Sequence, residues 1–162
     1  MGTLPAVTRR DEFDALVVRT DYRDDQAWQD VSAALMEPWG DRQYEAHVHF
    51  INDPAWAGAT ADEVLTAVGA DEDLSVVFLA DRVSMQAKHH PLLAVTLLTQ
   101  EDCVDDEDYE QLTEFGREFR TIPAGVHEVY ANLSIGNVGF EEFAASAHDD
   151  PEGIYRPFRM EQ

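Results

Sequence analysis

A chain of 162 residues that is 44% apolar and carries three Trp, eight Phe and five Tyr has material for one folded domain with a real core, which excludes a disordered acidic tail. Its 33 acidic against 11 basic residues give a formal net charge of -22, a field that repels phosphate backbones and anionic bilayers and so excludes direct binding to nucleic acid or membrane. A lone Cys103 leaves no internal disulfide and no CxxC spacing for structural zinc, and no apolar run is long enough for a signal or a span, so a reducing, cytoplasmic setting is expected.

In chain order, residues 1–13 read as an N-terminal arm and residues 14–158 as one α/β domain without internal repeats. Residues 14–20 (DALVVRT) hold a short β-branched run, the pattern of a buried strand. Asp24 or Asp25 then caps a helix whose Ala27, Trp28, Val31, Ala34 and Leu35 share one face, ended by Pro38 and Gly40. Residues 44–51 (YEAHVHFI) alternate as a second strand with one face partly wet. Asn52-Asp53-Pro54 makes a turn, and Thr60 to Glu63 has capping-box spacing ahead of a stripe of Ala61, Val64, Leu65 and Val68 that stops at Gly69.

Residues 74–80 (LSVVFLA) read as a fully buried third strand, followed by a turn over residues 81–91 and a fourth strand over residues 92–99. Residues 100–110 (QEDCVDDEDYE) carry seven carboxylates, a run that repels itself and is expected to be a solvated loop. Residues 117–122 (REFRTI) alternate as an edge-type strand ended by Pro123. A C-terminal helical pair follows, with Val126, Val129, Tyr130 and Leu133 on one stripe and Phe140, Phe143, Ala144 and Ala147 on the next, and residues 154–158 form a further extended segment. Strands separated by one-sided helices predict a three-layer α/β sandwich of about five strands: a parallel core of the first three, extended by an antiparallel pair.

Ligands of open parallel sheets gather beyond the carboxyl ends of the strands. Asp21, Asp53 and Asp81 each follow one of the three expected parallel strands, with Arg82 and Arg19 beside them for an anionic substrate. Convergent carboxylates suit Mg2+, and that would permit metal-assisted hydrolysis or phosphoryl transfer. The plainer reading is that each aspartate caps its own turn. His47 and His49, two apart on a strand, point to one face and could hold a transition metal with Glu45 and a third ligand such as His89, His90 or His127; two solvated strand histidines are the commoner outcome. Trp28, Trp39 and Trp56 read as core or as covers for the sheet edge. The turn after the first strand, residues 20–25 (TDYRDD), has no glycine, and neither a P-loop nor a GxSxG elbow occurs. Cys103 stands among carboxylates that disfavour its thiolate.

The stretches DALVVRTDYRDDQAW, HFINDPAWAG, FLADR, REFRTIP and NLSIGNVGFEEFA together resemble a family of small acidic actinobacterial proteins described only as a domain of unknown function. The likeness runs from Asp14 to Phe158, is most specific over residues 132–144, and implies no activity, cofactor or catalytic residue. It implies instead that the acidic stretch at residues 100–110 is an insertion. The ten Arg to one Lys, Lys88, point to a high-GC genome. With no cofactor motif in view, the expected function is non-catalytic: an inhibitor, an immunity or antitoxin-like factor, or a phosphate-mimicking decoy that docks on a basic protein partner. Its contacts are Asp102, Asp105, Asp106, Glu107, Asp108 and Glu110. The alternatives are the metal-assisted enzyme and a structural or assembly component whose acidity serves solubility alone.

Overall fold

Four apolar residues closed by an arginine form β1 (Ala15–Arg19), buried along its whole length at the centre of the parallel part of the sheet. The computed structural model describes residues 14–37, 47–68, 74–87, 89–97, 103–114, 116–134 and 139–155. After β1 come α1 (Asp25–Leu35), β2 (Val48–Ile51), a 3-10 turn (Pro54–Trp56), α2 (Ala61–Val68), β3 (Val76–Ala80), α3 (Arg82–Gln86) and β4 (Leu92–Thr96). Then follow α4 (Asp106–Leu112), β5 (Glu118–Thr121), α5 (Pro123–Ser134), α6 (Phe140–Asp149) and β6 (Ile154–Tyr155).

The strands join in the order β2-β1-β3-β4-β5-β6. β1 is parallel to β2 and β3, β4 runs against both β3 and β5, and β6 is parallel to β5. Direct pairing puts Phe50, Val17, Phe78, Ala94 and Phe119 in one row across the sheet. Helices α1 and α6 cover this face. Trp28 meets Phe50 edge-on at 5.7 Å, and Phe119 packs against Phe140 at 4.9 Å and Phe143 at 6.4 Å. The β1-α1-β2 and β2-α2-β3 crossovers run in opposite directions, and their common right hand therefore puts α2 on the other face. There the fully buried Val64 and Val68 join the core. These are the three layers of an α/β sandwich.

Local sequence explains the helix starts. Asp24 accepts from the Ala27 N–H at 3.0 Å as the cap of α1, and Thr60 and Glu63 close a reciprocal capping box at α2. Trp28 and Trp56 are core residues, whereas Trp39, Pro38, Gly40, Gly69 and the N-terminal arm lie outside the described residues.

The extended segment expected at residues 154–158 supplies a sixth strand over residues 154–155. Three expectations are corrected. The pairing of that segment makes β5 an interior strand, not an edge. The turn after β3 contains α3, nucleated by Asp81 as its cap. Within the acidic stretch, residues 106–112 are helical and not a loop, because Asp105 accepts from the Asp108 N–H at 2.8 Å and carboxylates in a first turn are favoured by the helix dipole. Among the described residues no helix is long and apolar enough to cross a membrane.

Gly125 sits in the first turn of α5, where a Cβ would meet the Thr121 hydroxyl and stand 3.0 Å from the Tyr155 ring. Helix propensity alone would make Gly125→Ala stabilising by up to about 1 kcal/mol. The crowding should reverse the sign, lowering stability by about 1–3 kcal/mol in urea denaturation. A raised midpoint would show that the α5 contact with β5 and β6 is looser than described.

Candidate functional site

The carboxyl ends of β1 and β2 and the first turn of α1 are tied together by one buried cation. Arg19 closes β1 at 3% exposure, and since a guanidinium cannot shed its charge, its donors must be satisfied in place. Its Nε donates to the Asp21 carbonyl at 2.9 Å, Nη1 to Asn52 Oδ1 at 3.3 Å and Nη2 to Asp25 Oδ1 at 2.8 Å. Its Cζ lies 4.3 Å from the Tyr22 ring centroid and 5.3 Å from that of Trp28. Backbone bonds complete the frame, with Gly58 N–H donating to the Thr20 carbonyl at 2.8 Å and Thr20 N–H to that of Ala80 at 2.9 Å. Gly58 holds φ +76°, which favours glycine.

Within this frame lies an open cleft of about 590 Å³ whose lining includes Thr20, Asp21, Arg23, Gly58, Asp81 and Arg82. It stands between the ends of β1 and β3, where one crossover leaves toward β2 and the next returns past β1, the usual ligand position in such sheets. The structure thus brings Asp21, Asp81 and Arg82 to one place. Asp53 does not line the cleft: it caps the 3-10 turn by accepting from the Ala55 N–H at 3.0 Å, and its carbonyl accepts from the Tyr22 hydroxyl at 2.7 Å.

Both cleft carboxylates already have cationic partners. Asp21 accepts from the Arg23 backbone N–H at 3.1 Å, Nε at 3.0 Å and Nη2 at 3.3 Å; these bonds outweigh burial and hold its pKa below the usual carboxylate value. Burial acts most strongly on Asp81 and would raise its pKa. The two-pronged Arg120 pair at 2.8 and 2.9 Å and the Ser84 bonds together overcome it, so this carboxyl too lies below its usual value. Arg82 is exposed, and its Nε donates to Gln86 Oε1 at 3.4 Å.

The histidines fall elsewhere. His47 is exposed just before β2 and His49 is half-buried on it. His127 is buried on α5 and its Nε2–H donates to the Leu35 carbonyl at 2.6 Å, closing the end of α1. Burial pushes the His127 pKa down, and the nearby His47 pushes it further. His89 and His90 sit in the turn before β4 with φ of 71° and 49°, and His90 Nδ1 lies 2.9 Å from the Ser84 carbonyl. Glu45 lies outside the described residues, among which no group of three or more His, Cys, Asp or Glu stands close enough to hold a metal.

On α4, Asp105, Asp106, Glu107 and Glu110 are exposed and Asp108 is half-buried; Asp102 lies outside the described residues. Sequence reasoning overlooked Arg23, Arg120 and Gly58. Arg120 is 39 residues from Asp81, and strand alternation can place it on a face but cannot name its partner.

A family model described as "Domain of unknown function (DUF6924)" matches residues 14–158, and no curated protein matches the chain.

Two pH effects follow from these sites. Asp81 has a folded pKa below its unfolded value near 3.9, so its contribution is complete above about pH 4 and is lost as pH falls through the folded value. Asp81→Asn should cost about 2–3 kcal/mol at neutral pH and flatten the stability curve below about pH 4. His127, held neutral, contributes stability that is complete above its unfolded value of about 6.5 and declines as pH falls through its lower folded value. His127→Gln should remove that slope. Urea midpoints measured across both windows check each claim, and unchanged slopes would mean the pairs do not titrate with unfolding.

Proposed function

For a chain that belongs to the DUF6924 family, a domain of unknown function, we propose a non-catalytic role: docking on a basic protein partner through the acidic face of α4. What supports this reading is the solvent exposure of Asp105, Asp106, Glu107 and Glu110 on an ordered helix, none of whose residues is fully buried. A capped helix holds these charges in fixed positions before contact, so less ordering entropy is lost on association than a flexible loop would lose. The net charge of -22 adds long-range steering toward a basic surface. In function such a protein is an inhibitor, an immunity or antitoxin-like factor, or a phosphate-mimicking decoy. A cytoplasmic location and an actinobacterial origin belong to the same proposal.

The metal-assisted alternative draws on the shared cleft of Asp21 and Asp81. The guanidinium already bonded to each of them favours docking over it. Calorimetric titration with Mg2+ separates the two, since binding heat that disappears in Asp21→Asn is expected only of the metal site.

Capture of partners from the source cells at low salt should recover a basic protein. Association with it should slow roughly tenfold or more as salt rises, and the triple change Asp106→Asn, Glu107→Gln, Glu110→Gln should slow association more than it speeds dissociation. Recovery of no basic protein, or binding indifferent to salt, would remove the proposal.

A further inference from the structure

We propose that the cleft between the ends of β1 and β3 is a binding site for a small phosphate-type oxyanion, with Arg82 as its principal contact and Arg23 as its second. This goes beyond the docking role and rests on different residues.

The local pairing of charges carries the argument. The cleft carboxylates of Asp21 and Asp81 are each bonded to a guanidinium, those of Arg23 and Arg120. The lining itself carries two carboxylates and two guanidinium groups, and because Arg120, outside the lining, takes both oxygens of Asp81, the side chain of Arg82 bonds to an amide instead. Arg82 donates over a long 3.4 Å to the neutral amide of Gln86, so its guanidinium fork keeps donors to spare. Four of the ten arginines of the chain, Arg19, Arg23, Arg82 and Arg120, gather around this edge in a molecule whose net charge is -22. The same edge also carries Asp24, Asp25 and Asp53, so what marks the cleft is not a net positive charge but a guanidinium whose hydrogen bond goes to a neutral amide.

The ligand class follows from the same facts. A divalent cation would have to displace a guanidinium from each carboxylate before reaching it. An acidic protein surface or a lipid bilayer would meet the repulsion of the entire chain. A small oxyanion meets only the local field, and a planar fork binds it through two parallel hydrogen bonds. At about 590 Å³ the cleft has the size of a metabolite site rather than of a single ion, so a phosphomonoester fits better than free phosphate. Arg23 reaches the same space from the other side while its Nε and Nη2 hold Asp21.

Amide chemical shifts recorded during titration with inorganic phosphate, and separately with phenyl phosphate, test this at constant ionic strength set by chloride. Saturable shifts are expected at Thr20, Asp21, Arg23, Gly58 and Arg82 in the millimolar range. Tighter binding of phenyl phosphate assigns the site to an organic phosphate, and equal binding assigns it to the free ion. Arg82→Gln should weaken binding at least roughly tenfold, and Arg82→Lys should recover part of the loss. Arg82 is exposed, so both variants should fold, and their unshifted spectra check it. The triple α4 variant should bind phosphate as the parent does, which keeps failure here distinct from failure of the docking role. Shifts that chloride alone reproduces, absence of saturation, or affinity unchanged in Arg82→Gln would overturn the assignment.

Discussion

A guanidinium that cannot lose its proton, buried at the end of the central strand, constrains everything around it. Arg19 sits where β1 gives out, and each of its three nitrogens donates to a different piece of chain: the backbone after β1, the residue after β2 and the first turn of α1. Removing any one of these acceptors would leave part of a charge dry, which costs several times what an ordinary hydrogen bond contributes. The three pieces are therefore held in register by electrostatics as well as by the apolar row beneath them. Asp25 is itself largely exposed, so it meets Arg19 without a large desolvation cost of its own. The geometry of the carboxyl edge is in this sense imposed from β1 outward.

The same economy of cations organises the rest of the edge. With three acidic residues for every basic one, most carboxylates of the chain have no cation available and must remain in water. The described exceptions are informative. Asp21 and Asp81 are held below their usual pKa by arginines, and Asp81 also caps α3 through Ser84, which makes it both an end of helix and an end of sheet. On α4 the carboxylates go the other way, toward solvent, where the helix dipole offers the first turn modest stabilisation. Arginine placement thus separates an edge where charges are matched from a helix where they are not.

Much of the fold was legible because its signals are local. The β-branched runs of β1 and β3, the capping box before α2 and the stripes of α5 and α6 all act within a few residues, and each produced the expected element. The acidic stretch misled for a physical reason: self-repulsion argues for a loop, yet the Asp105 cap and a dipole-matched first turn suffice for a short helix once Tyr109 and Leu112 are partly covered. α3 was hidden because a five-residue helix has almost no periodicity to read. The interior position of β5 was hidden as well, since it depends on a two-residue strand 33 positions later. At the site, sequence placed the aspartates at the right strand ends but could not see which arginine each would meet. That pairing is a property of strand order, not of spacing.

Strand order in turn explains why the cleft has its form. β4 alone runs against its neighbours, so the chain turns back at the carboxyl edge of β3 instead of crossing over, and α3 with its cap Asp81 stays at that edge. A second reversal makes β5 run in the direction of β3, and this brings Arg120 to the same edge, opposite Leu93 on β4. Asp81 directly follows β3 and Arg120 lies on β5, two strands separated by β4 and so roughly 9–10 Å apart between backbones. Only a long side chain spans it. The Arg120 guanidinium reaches across β4, takes both oxygens of Asp81 and also donates to the Pro91 carbonyl at 3.3 Å, locking both ends of the β3–β4 connection. Arg82 is the next residue after Asp81. The pair that fixes the turn therefore also fixes where that cation enters the cleft, so a contact made beneath β4 determines the charge presented beside β1.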